Sequence, residues 1–580
     1  MVKLGHYYEN DKSFFKIYAP HKNSVTVEIN NGKSCVSLDY NAETGYWTGS
    51  CPRLPEGTLY WLNVNNERSF PDPTSRYQPF GVHGASMTVS VTKVSQNNWN
   101  GVKIEDAVIY ELHIGTFTRE GNLSSATKKL KHLADLGINV IELMPIGEFP
   151  GNFDWGYDSV YMFALETSYG TYEDLRKFIE EAHSYGISVI LDVVYNHFGP
   201  EGNYSGFFAP YTKDADTPWG SAINFDTADC NGIREFYLAN VEWWLSDIGF
   251  DGFRLDAWAM VDDCSISRIH REITDLAHDI GKRENRNIII IAEHLRNNKN
   301  VTSDAQDGDN CDSQWVDDFG LSIRSFLTPD KNDKLLKSFY QFDDIIKAFK
   351  DTYVLDGTRF NYAVEEYTGT SPEGLKPYES VVYIQNHDMV GNRVLGDRFI
   401  TTAGRDKALL AVAALFSSKN IPLIFMGEEY GETHPFTFFE SFSDPWLIEA
   451  VREGRQREWQ FSKIKPKDSH SIDTFNECRL NWELIDNNEN TNILKAYKEL
   501  ISLKKKRIIG CEGENGLYQI TNNNQLITID NGRSIVMLNF HDRSFNVEEI
   551  NGFDLVFTTS EKNTSSNIEP YSASVFVKKS

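Results

Sequence analysis

Hydrophobic and polar positions follow two different patterns along the chain. Residues 25–29 alternate between apolar and polar side chains, and an Asn-Gly pair follows at 31–32. Alternating strands around an Asn-Gly pair are typical of a β-hairpin. A similar pattern returns near the C-terminus, where Asp-Asn-Gly at 530–532 separates two apolar runs. The sequence therefore predicts a β-sandwich over residues 1–95 and an antiparallel β domain over residues 508–580.

The middle of the chain, residues 96–507, has short apolar runs without alternation, separated by segments of helical periodicity. Such runs indicate strands that are buried on both faces, as in a parallel sheet. One intervening helix is expected to begin after Asn122 and to end at Gly137. The runs lie at 107–114, 139–145, 187–197, 250–258, 287–294, 313–320, 380–388 and 421–429. Eight β/α units predict an α/β fold, the (β/α)8 TIM barrel, with an insertion at about 198–230 after the third strand.

Composition and charge exclude several classes of function. The 580 residues carry 57 basic and 83 acidic side chains, a net charge of -26, which disfavours nucleic acid or anionic membranes as partners. No apolar run reaches the roughly 20 residues of a membrane helix. The seven cysteines are scattered and form no CxxC pair. We therefore expect a cytoplasmic protein without a disulfide framework or a zinc site.

Acidic side chains follow several of the apolar runs, at the end of a barrel where the active site lies. Asp256, Glu293 and Asp388 lie at the ends of the fourth, fifth and seventh runs. Acids seldom occupy such positions unless they are paired or functional. Two carboxylates are sufficient for glycoside hydrolysis, because one attacks or stabilises the sugar and the other protonates the leaving oxygen. The sequence therefore predicts a glycosidase site.

Neighbouring residues predict how the acids divide these roles. Arg254 precedes Asp256 by two residues on a strand, so the two side chains share a face. The guanidinium is expected to lower the pKa of Asp256 and to keep it ionised as a nucleophile. The apolar run before Glu293 is expected to raise its pKa, as a general acid near neutral pH requires. Asp388 and His387 are expected to hold sugar hydroxyls in the distorted transition state.

The same strand ends resemble the four sequence regions of the α-amylase superfamily. They read DVVYNH (192–197), GFRLDA (252–257), IIIIAEH (288–294) and QNHD (385–388), in that order. The resemblance implies a retaining (β/α)8 enzyme that acts on α-linked glucose. It implies Asp256 as nucleophile, Glu293 as acid/base and Asp388 as transition-state stabiliser. The residues implied to bind the sugar at the cleavage site are Tyr157, Asp192, His197, Arg254 and His387.

Longer segments between about 70 and 460 resemble the malto-oligosyltrehalose trehalohydrolase family more narrowly. Among them are VIYELHIGTFTREG (108–121), ELMPIGEFPGNFDWGYD (142–158) and QNHDMVGNR (385–393), and the last adds Arg393 as an expected substrate contact. That family cleaves the α-1,4 bond next to a terminal trehalose and releases trehalose and a maltodextrin. We expect an α-1,4-glucan or malto-oligosyltrehalose substrate, no cofactor, no metal, and a monomer or homodimer.

Three differences from the family pattern, at Ala259, His294 and Gly320, leave other activities open. The alternatives are an α-amylase, a 1,4-α-glucan branching enzyme and, from another class, a non-catalytic glucan-binding protein. The intact acids argue against the last, because buried unpaired acids are costly. Trp258 is expected either to stack on a glucose ring or to pack against the barrel helices. Further aromatic candidates for substrate contact are Trp155, Trp219, Phe436, Phe438 and Phe439.

Overall fold

Two antiparallel sheets form a sandwich at the N-terminal end of the protein. The computed structural model describes residues 3–95, 99–329, 334–460, 464–548 and 550–579. The predicted hairpin is confirmed: Val25–Ile29 pairs with Ser34–Ser37. Phe15 from one sheet and Leu62 from the other meet in the apolar interior. The strands are Gly5–Glu9, Lys12–Tyr18, Val25–Ile29, Ser34–Ser37, Asp39–Asn41, Tyr46–Pro52, Leu59–Val64, Arg68–Phe70 and Ser86–Met87.

Eight parallel strands close into a barrel, and one lies in each of the eight predicted runs. They are β1 (Ile109–Leu112), β2 (Val140–Leu143), β3 (Ser188–Val193), β4 (Gly252–Leu255), β5 (Ile289–Glu293), β6 (Ser313–Trp315), β7 (Ser380–Val382) and β8 (Ile421–Phe425). β1 pairs with β8, which closes the ring. Every residue of these strands is buried. Burial on both faces explains why the runs show no alternation, and the predicted fold class is confirmed.

Helices cover the barrel from outside, and one of them differs from the prediction. Asn122 is the N-cap, since its side chain accepts from the Ser125 N–H, and Gly137 ends the segment at φ 103°. The expected single helix is interrupted at residues 128–129, where the Thr127 hydroxyl donates to the Leu123 carbonyl and competes with helical bonding. The helices are Ile114–Phe117, Leu123–Thr127, Leu130–Leu136, Tyr172–Ser184, Cys230–Glu242, Ile269–Glu284, Asp318–Leu327, Asp343–Asp351, His387–Gly391, Phe399–Ala403, Arg405–Ser417, Pro445–Glu458, Ile472–Glu477 and Asn488–Lys505.

An insertion after β3 and a C-terminal sheet complete the fold. The insertion carries a hairpin of Thr212–Thr217 and Gly220–Ile223. The C-terminal strands form a five-stranded antiparallel sheet, as predicted, and a separate pair. The domain boundaries given above stay predictions. Within the described ranges, no helix is both long and apolar enough to cross a membrane. The C-terminal strands are Gln519–Asn523, Leu526–Asp530, Ser534–Asn539, Phe545–Asn546, Phe553–Thr558, Asn567–Ile568 and Ser572–Lys578.

Candidate active site

Arg254 on β4 is the centre of a polar cluster at the C-terminal end of the barrel. Its side chain is 0% exposed. Nη1 lies 2.8 Å from Asp192 and 2.7 Å from Asp256, and Nη2 lies 2.8 Å from Glu293. The guanidinium also stacks 4.3 Å from the centre of the Trp315 ring. One cation therefore contacts three carboxylates from three neighbouring strands, and this pairing makes their burial tolerable.

Asp256 follows β4 and is held on both of its oxygens. Arg254 contacts Oδ1, and the Asn196 side chain donates to Oδ2 at 2.7 Å. The next residue, Ala257, has φ 39° and ψ 47°, a left-handed conformation that costs a non-glycine residue roughly 1–3 kcal/mol. This turn points the Ala257 N–H at Glu293, whose Oε2 accepts it at 2.7 Å. The backbone strain therefore helps to fix Glu293 beside Asp256.

The surroundings of Glu293 at the end of β5 favour the protonated form that acid catalysis needs. Burial raises its pKa, Arg254 lowers it, and Asp256 and Asp388 raise it again, to about 8. This direction agrees with the expectation from the apolar run before it. At neutral pH the carboxyl group therefore holds a proton that it can donate.

The segment after β7 places Asp388 in the open mouth of the barrel. Its side chain is 40% exposed, and its Oδ1 accepts from Asn392 at 3.1 Å. His387 beside it is buried, and its ring stacks on Tyr157 with centroids 5.2 Å apart. The short helix that carries both begins at Asn386, whose side chain caps the Met389 N–H. Asp388 is thus the member of the cluster most open to a ligand from solvent.

Three further predicted residues join this cluster through hydrogen bonds. The Tyr157 hydroxyl donates to Asp192 at 2.7 Å and lies 3.0 Å from His387 Nε2. Burial raises the pKa of Asp192 to about 7, although Arg254 opposes this. His197 lies 3.0 Å from the Tyr157 carbonyl, and burial lowers its pKa, so the ring is neutral at pH 7. The structure thus brings eight of the ten predicted site residues together.

The prediction that Trp258 stacks on a glucose ring is wrong. Its side chain is 1% exposed, so no face is open to a sugar. The indole N–H donates to Asp309 at 3.2 Å, and the ring meets His270 edge to face at 4.6 Å. The residue packs against the helix Ile269–Glu284, which was the alternative interpretation. Substrate binding by Arg393, which is half-buried five residues after Asp388, stays a prediction.

The other aromatic candidates include buried, half-buried and exposed side chains. Phe438 is half-buried and meets Trp155 edge to face at 5.3 Å. Trp155 and Phe436 stack on each other at 5.3 Å and are buried, as is Phe439, so they support the loops behind the cluster. Trp219 at the tip of the insertion hairpin is 50% exposed and stacks on His197 at 5.4 Å. It is the member of this group with an open aromatic face beside the cluster.

Two buried acids were missed by the sequence analysis. Glu111 on β1 and Glu142 on β2 lie side by side in the barrel, each 1% exposed. Glu111 Oε1 is 2.5 Å from His387 Nδ1. The available signal was a glutamate inside each apolar run, in YELH and IELM. Asn196, which holds Asp256, lies within the DVVYNH segment (192–197), where only Asp192 and His197 are predicted to have a role.

One group of possible metal ligands occurs among the described residues, and it lies outside the cluster. It consists of Asp226, Asp262 and Cys264. The ammonium group of Lys213 lies 2.6 Å from Asp226 and 3.0 Å from Asp262. These carboxylates therefore already share a cation from the chain itself.

The sequence matches known proteins along most of its length. The family model of the α-amylase catalytic domain matches residues 82–218 and 223–512. A malto-oligosyltrehalose trehalohydrolase from Saccharolobus solfataricus is 42% identical over 528 residues, which cover 90% of this chain and 91% of that protein. The chain belongs to the malto-oligosyltrehalose trehalohydrolase family. It is therefore a glycoside hydrolase of the α-amylase superfamily.

Other relatives agree with this assignment. A malto-oligosyltrehalose trehalohydrolase from Rhizobium sp. strain M-11 is 34% identical, over 85% of this chain and 84% of that protein. A 1,4-α-glucan branching enzyme from Bacillus cereus is a weaker match, 29% identical over 42% of each chain. The crystal structure of a putative α-amylase from Salmonella typhimurium superposes with a TM-score of 0.90 at 31% identity over 99% of both chains.

The three differences from the trehalohydrolase family pattern lie after β4, β5 and β6. His294 is buried and lines a narrow cleft with Glu293, Trp315 and Tyr383. Ala259 is half-buried in the turn after Ala257. Gly320 lies in the helix Asp318–Leu327, where a β-carbon would come within 2.4 Å of the Tyr383 carbonyl oxygen. A side chain at 320 therefore requires a displaced backbone.

We expect Gly320→Ala to lower the free energy of unfolding by roughly 1–3 kcal/mol, because the new methyl group overlaps a backbone carbonyl. Gly454→Ala is the matched control: Gly454 is also helical, and no described atom lies within 4 Å of its β-carbon position. The control is expected to gain about 0.4–1 kcal/mol. Urea unfolding of both variants measures the difference. Equal stability of the two would contradict the close approach of this helix to Tyr383.

Proposed function

We propose that this enzyme is a retaining hydrolase that cleaves the α-1,4-glucosidic bond next to the terminal trehalose of malto-oligosyltrehalose. The products are trehalose and a maltodextrin. The observation that carries the reaction class is the Arg254 guanidinium, which contacts both Asp256 and Glu293. A single guanidinium can do so only if the carboxyl groups are close together. Retaining pairs lie about 5–5.5 Å apart, whereas inverting pairs leave room for a water molecule.

In the first step, the ionised carboxylate of Asp256 attacks C1 of the glucose next to the trehalose. Glu293 gives its proton to the glycosidic oxygen, the C1–O bond breaks, and trehalose leaves as a neutral alcohol. The maltodextrin remains as an ester of Asp256. Asn196 and Arg254 support this role, because they hold the carboxylate oxygens before the attack.

In the second step, Glu293, now ionised, takes a proton from a water molecule. The water oxygen attacks C1 from the side that trehalose has left, the ester bond breaks, and Asp256 is restored as a carboxylate. The two inversions give a maltodextrin with an α-configured reducing end. Asp388 is assigned to stabilise the oxocarbenium-like transition state, since its exposed carboxylate lies in the mouth of the barrel.

The remaining residues of the cluster are assigned to hold the glucose at the cleavage site. Tyr157 offers a half-buried aromatic ring, and His387 and His197 flank it. Asp192 and Arg254 set the position of the Tyr157 hydroxyl and the charge beneath the sugar. Carbohydrate rings pack well against such aromatic faces, while fixed polar groups read their hydroxyls.

Two relatives support cleavage next to a trehalose end, and one solved structure favours a competing activity. Trehalohydrolases from Saccharolobus solfataricus and Rhizobium sp. match over most of their length. The Salmonella typhimurium structure that matches end to end is titled a putative α-amylase, and such an enzyme would not need a trehalose end. Of the three differences from the family pattern, His294 lines a cleft with the acid/base residue Glu293, and this cleft is the proposed position of the leaving group. The preference for a trehalose end is therefore the part of the proposed function to be tested first.

The test gives the enzyme maltopentaose and the same chain capped with a trehalose end, with products separated by anion-exchange chromatography. We expect free trehalose from the capped chain, with kcat/KM at least about tenfold higher than for the plain chain. Equal cleavage of both chains without preference for the trehalose end would identify an α-amylase. New α-1,6 branches would identify a branching enzyme.

The pH dependence of kcat/KM should show the titration of Glu293. The acid must be protonated to serve the leaving group, and its pKa is about 8. We therefore expect kcat/KM to fall as the pH rises through about 8. Glu293→Gln should remove this limb and lower the rate roughly 10²–10⁴-fold. Measuring kcat/KM on the trehalose-capped substrate between pH 5 and 9.5 tests this expectation. The same basic limb in the profile of Glu293→Gln would contradict the assignment of Glu293 as the acid.

We also propose a cytoplasmic location and a monomeric or homodimeric state. All seven cysteines are free thiols in the structure, which is compatible with a reducing compartment. Fractionation of the source cells and light scattering on the purified protein test these two points.

A further inference from the structure

Glu111 makes two contacts with a single residue, His387, that lies 276 positions later in the chain. Its Oε1 is 2.5 Å from the ring Nδ1, and its Oε2 accepts from the His387 backbone N–H at 3.1 Å. Both residues are 1% exposed. The carboxylate therefore fixes both the backbone and the ring of the histidine, and it requires a proton on Nδ1.

This pairing determines which ring atom faces the substrate side. The ring nitrogen Nδ1 faces Glu111. The other nitrogen, Nε2, therefore points away from Glu111 and lies 3.0 Å from the Tyr157 hydroxyl and 3.5 Å from Asp388 Oδ1. His387 is 1% exposed whereas the Asp388 side chain is 40% exposed, so Nε2 reaches the ligand space through Asp388 and Tyr157 rather than directly. A histidine oriented by a carboxylate on one nitrogen presents the other nitrogen in a defined state.

Glu142 is a natural comparison for Glu111. It occupies the equivalent position on the neighbouring strand and is equally buried. Its carboxyl oxygens, unlike those of Glu111, have no hydrogen-bond partner among the described residues. Burial and the adjacent Glu111 both raise the pKa of Glu142 well above its usual value, which favours its neutral form. On these two strands, the carboxyl group that contacts His387 is that of Glu111.

We propose that Glu111 is a positioning residue that holds His387 as a cation with its Nε2–H directed at Tyr157 and Asp388, two groups that line the cleavage site. The inference rests on the proposed function, because that is what places glucose against Tyr157 and Asp388. Glu111 itself does not touch the ligand space. It acts through the histidine, whose Nε2–H supplies a charge-assisted hydrogen bond that fixes these groups where the glucose binds.

The balance of charges around His387 supports this proposal. Burial lowers its pKa, but Asp388 and Glu111 raise it more, to about 9. Asp388 is 40% exposed and therefore partly screened by water, whereas Glu111 is buried. Loss of Glu111 should thus lower the pKa of His387 more than loss of any other neighbour. The titratable groups that face the ring are Glu111 and His113 from the β1 end, Glu142 on β2, Tyr157, Asp192 on β3, Arg254 on β4, and Asp388.

The primary test is direct titration of His387 in the full-length enzyme without substrate. ¹³C-labelled histidine reports each of the 14 rings, and a His387→Gln variant assigns the signal. We expect His387 to remain protonated to about pH 9 in the wild type. In Glu111→Gln its pKa should fall by about two units or more, roughly a hundredfold change in the protonation constant. Glu142→Gln, the matched control, should leave the titration unchanged.

The second readout is the pH dependence of the capped-substrate reaction. Because His387 in Glu111→Gln loses its proton at lower pH, kcat/KM should be within a few-fold of wild type near pH 6 and at least tenfold lower at pH 8. A residue with a merely structural role would lower activity equally at all pH values. Glu111→Asp, which keeps the charge, should restore most of the high-pH activity and serves if the Gln variant fails to fold.

The two readouts separate the inference from the function on which it rests. An unchanged His387 titration in Glu111→Gln, or a loss of activity that is independent of pH, overturns the role of Glu111. Failure to release trehalose, with a normal shift of the His387 titration, overturns only the proposed substrate. The role of Glu111 in orienting His387 would then stand, but for an enzyme that acts on a different glucan.

Discussion

Asp256→Asn is expected to lower kcat by roughly 10⁴-fold or more while the enzyme stays folded. Asparagine has almost the same shape, but its amide cannot form the ester with C1. Its oxygen can still accept from Arg254 or Asn196, the two partners of the native carboxylate. The loss should appear in kcat rather than in KM, because the nucleophile contributes to the transition state more than to substrate binding.

The matched control for this substitution is Asp262→Asn. Asp262 also pairs with a cation, Lys213, but it is 46% exposed and outside the cluster. Its loss should leave the rate on the trehalose-capped chain unchanged. Single-turnover measurements with both variants separate chemistry from product release. If Asp256→Asn kept activity within tenfold of wild type, another group would have to be the nucleophile, and the retaining mechanism would be wrong.

Arg254→Met is expected to lower the free energy of unfolding by about 3–5 kcal/mol and to abolish activity. The substitution leaves the carboxyl groups of Asp192, Asp256 and Glu293 without their cation, and uncompensated buried charge is strongly destabilising. Arg254→Lys should recover only part of the loss, since one ammonium group cannot bridge the same acceptors as the planar guanidinium. Urea unfolding gives the stability, and the capped substrate gives the rate.

The stability loss in Arg254→Met should depend on pH. The pKa of Asp192 is already about 7 in the folded enzyme, and that of Glu293 is about 8. Both values already exceed those of the unfolded chain, and without Arg254 they rise further. The variant therefore continues to lose stability as the pH rises above about 7 to 8, where the wild type levels off. We expect the largest deficit near pH 8 and a smaller one near pH 5.5.

A more exposed arginine provides the control for this experiment. Arg268 pairs with Asp309 at 2.7 Å, but its side chain is 36% exposed. Arg268→Met should change the unfolding free energy by no more than about 1 kcal/mol. A similar loss in both variants, or a deficit in Arg254→Met that is the same at both pH values, would contradict the role of Arg254 as the shared cation.

The barrel and most of its candidate site could be predicted because both depend on short segments. A strand buried on both faces needs only consecutive apolar residues, and the residue after it must lie at the rim of the barrel. Asp256, Glu293 and Asp388 are therefore brought together by topology, although no local signal joins them. The four sequence regions then gave these residues their roles through resemblance.

The errors concern side chains whose direction depends on distant contacts. Trp258 was one candidate for sugar stacking, but after the left-handed turn at Ala257 its side chain lies in the core. Glu111 lies within an apolar run and looked like part of a strand. Its function depends on His387, far away in sequence. The spacing of residues in the sequence predicts neither the sign of a backbone φ angle nor a contact with a residue so far away in the chain.

The most direct test of the central claim follows the trehalose-capped chain by ¹H NMR from the first seconds of the reaction. The substrate has no reducing end, so every new anomeric signal comes from cleavage. We expect free trehalose and an α-configured maltodextrin to appear at the same rate, and the β anomer to follow only by mutarotation. A β anomer that appears first would contradict the ester with Asp256, and maltose or glucose without trehalose would contradict the proposed substrate.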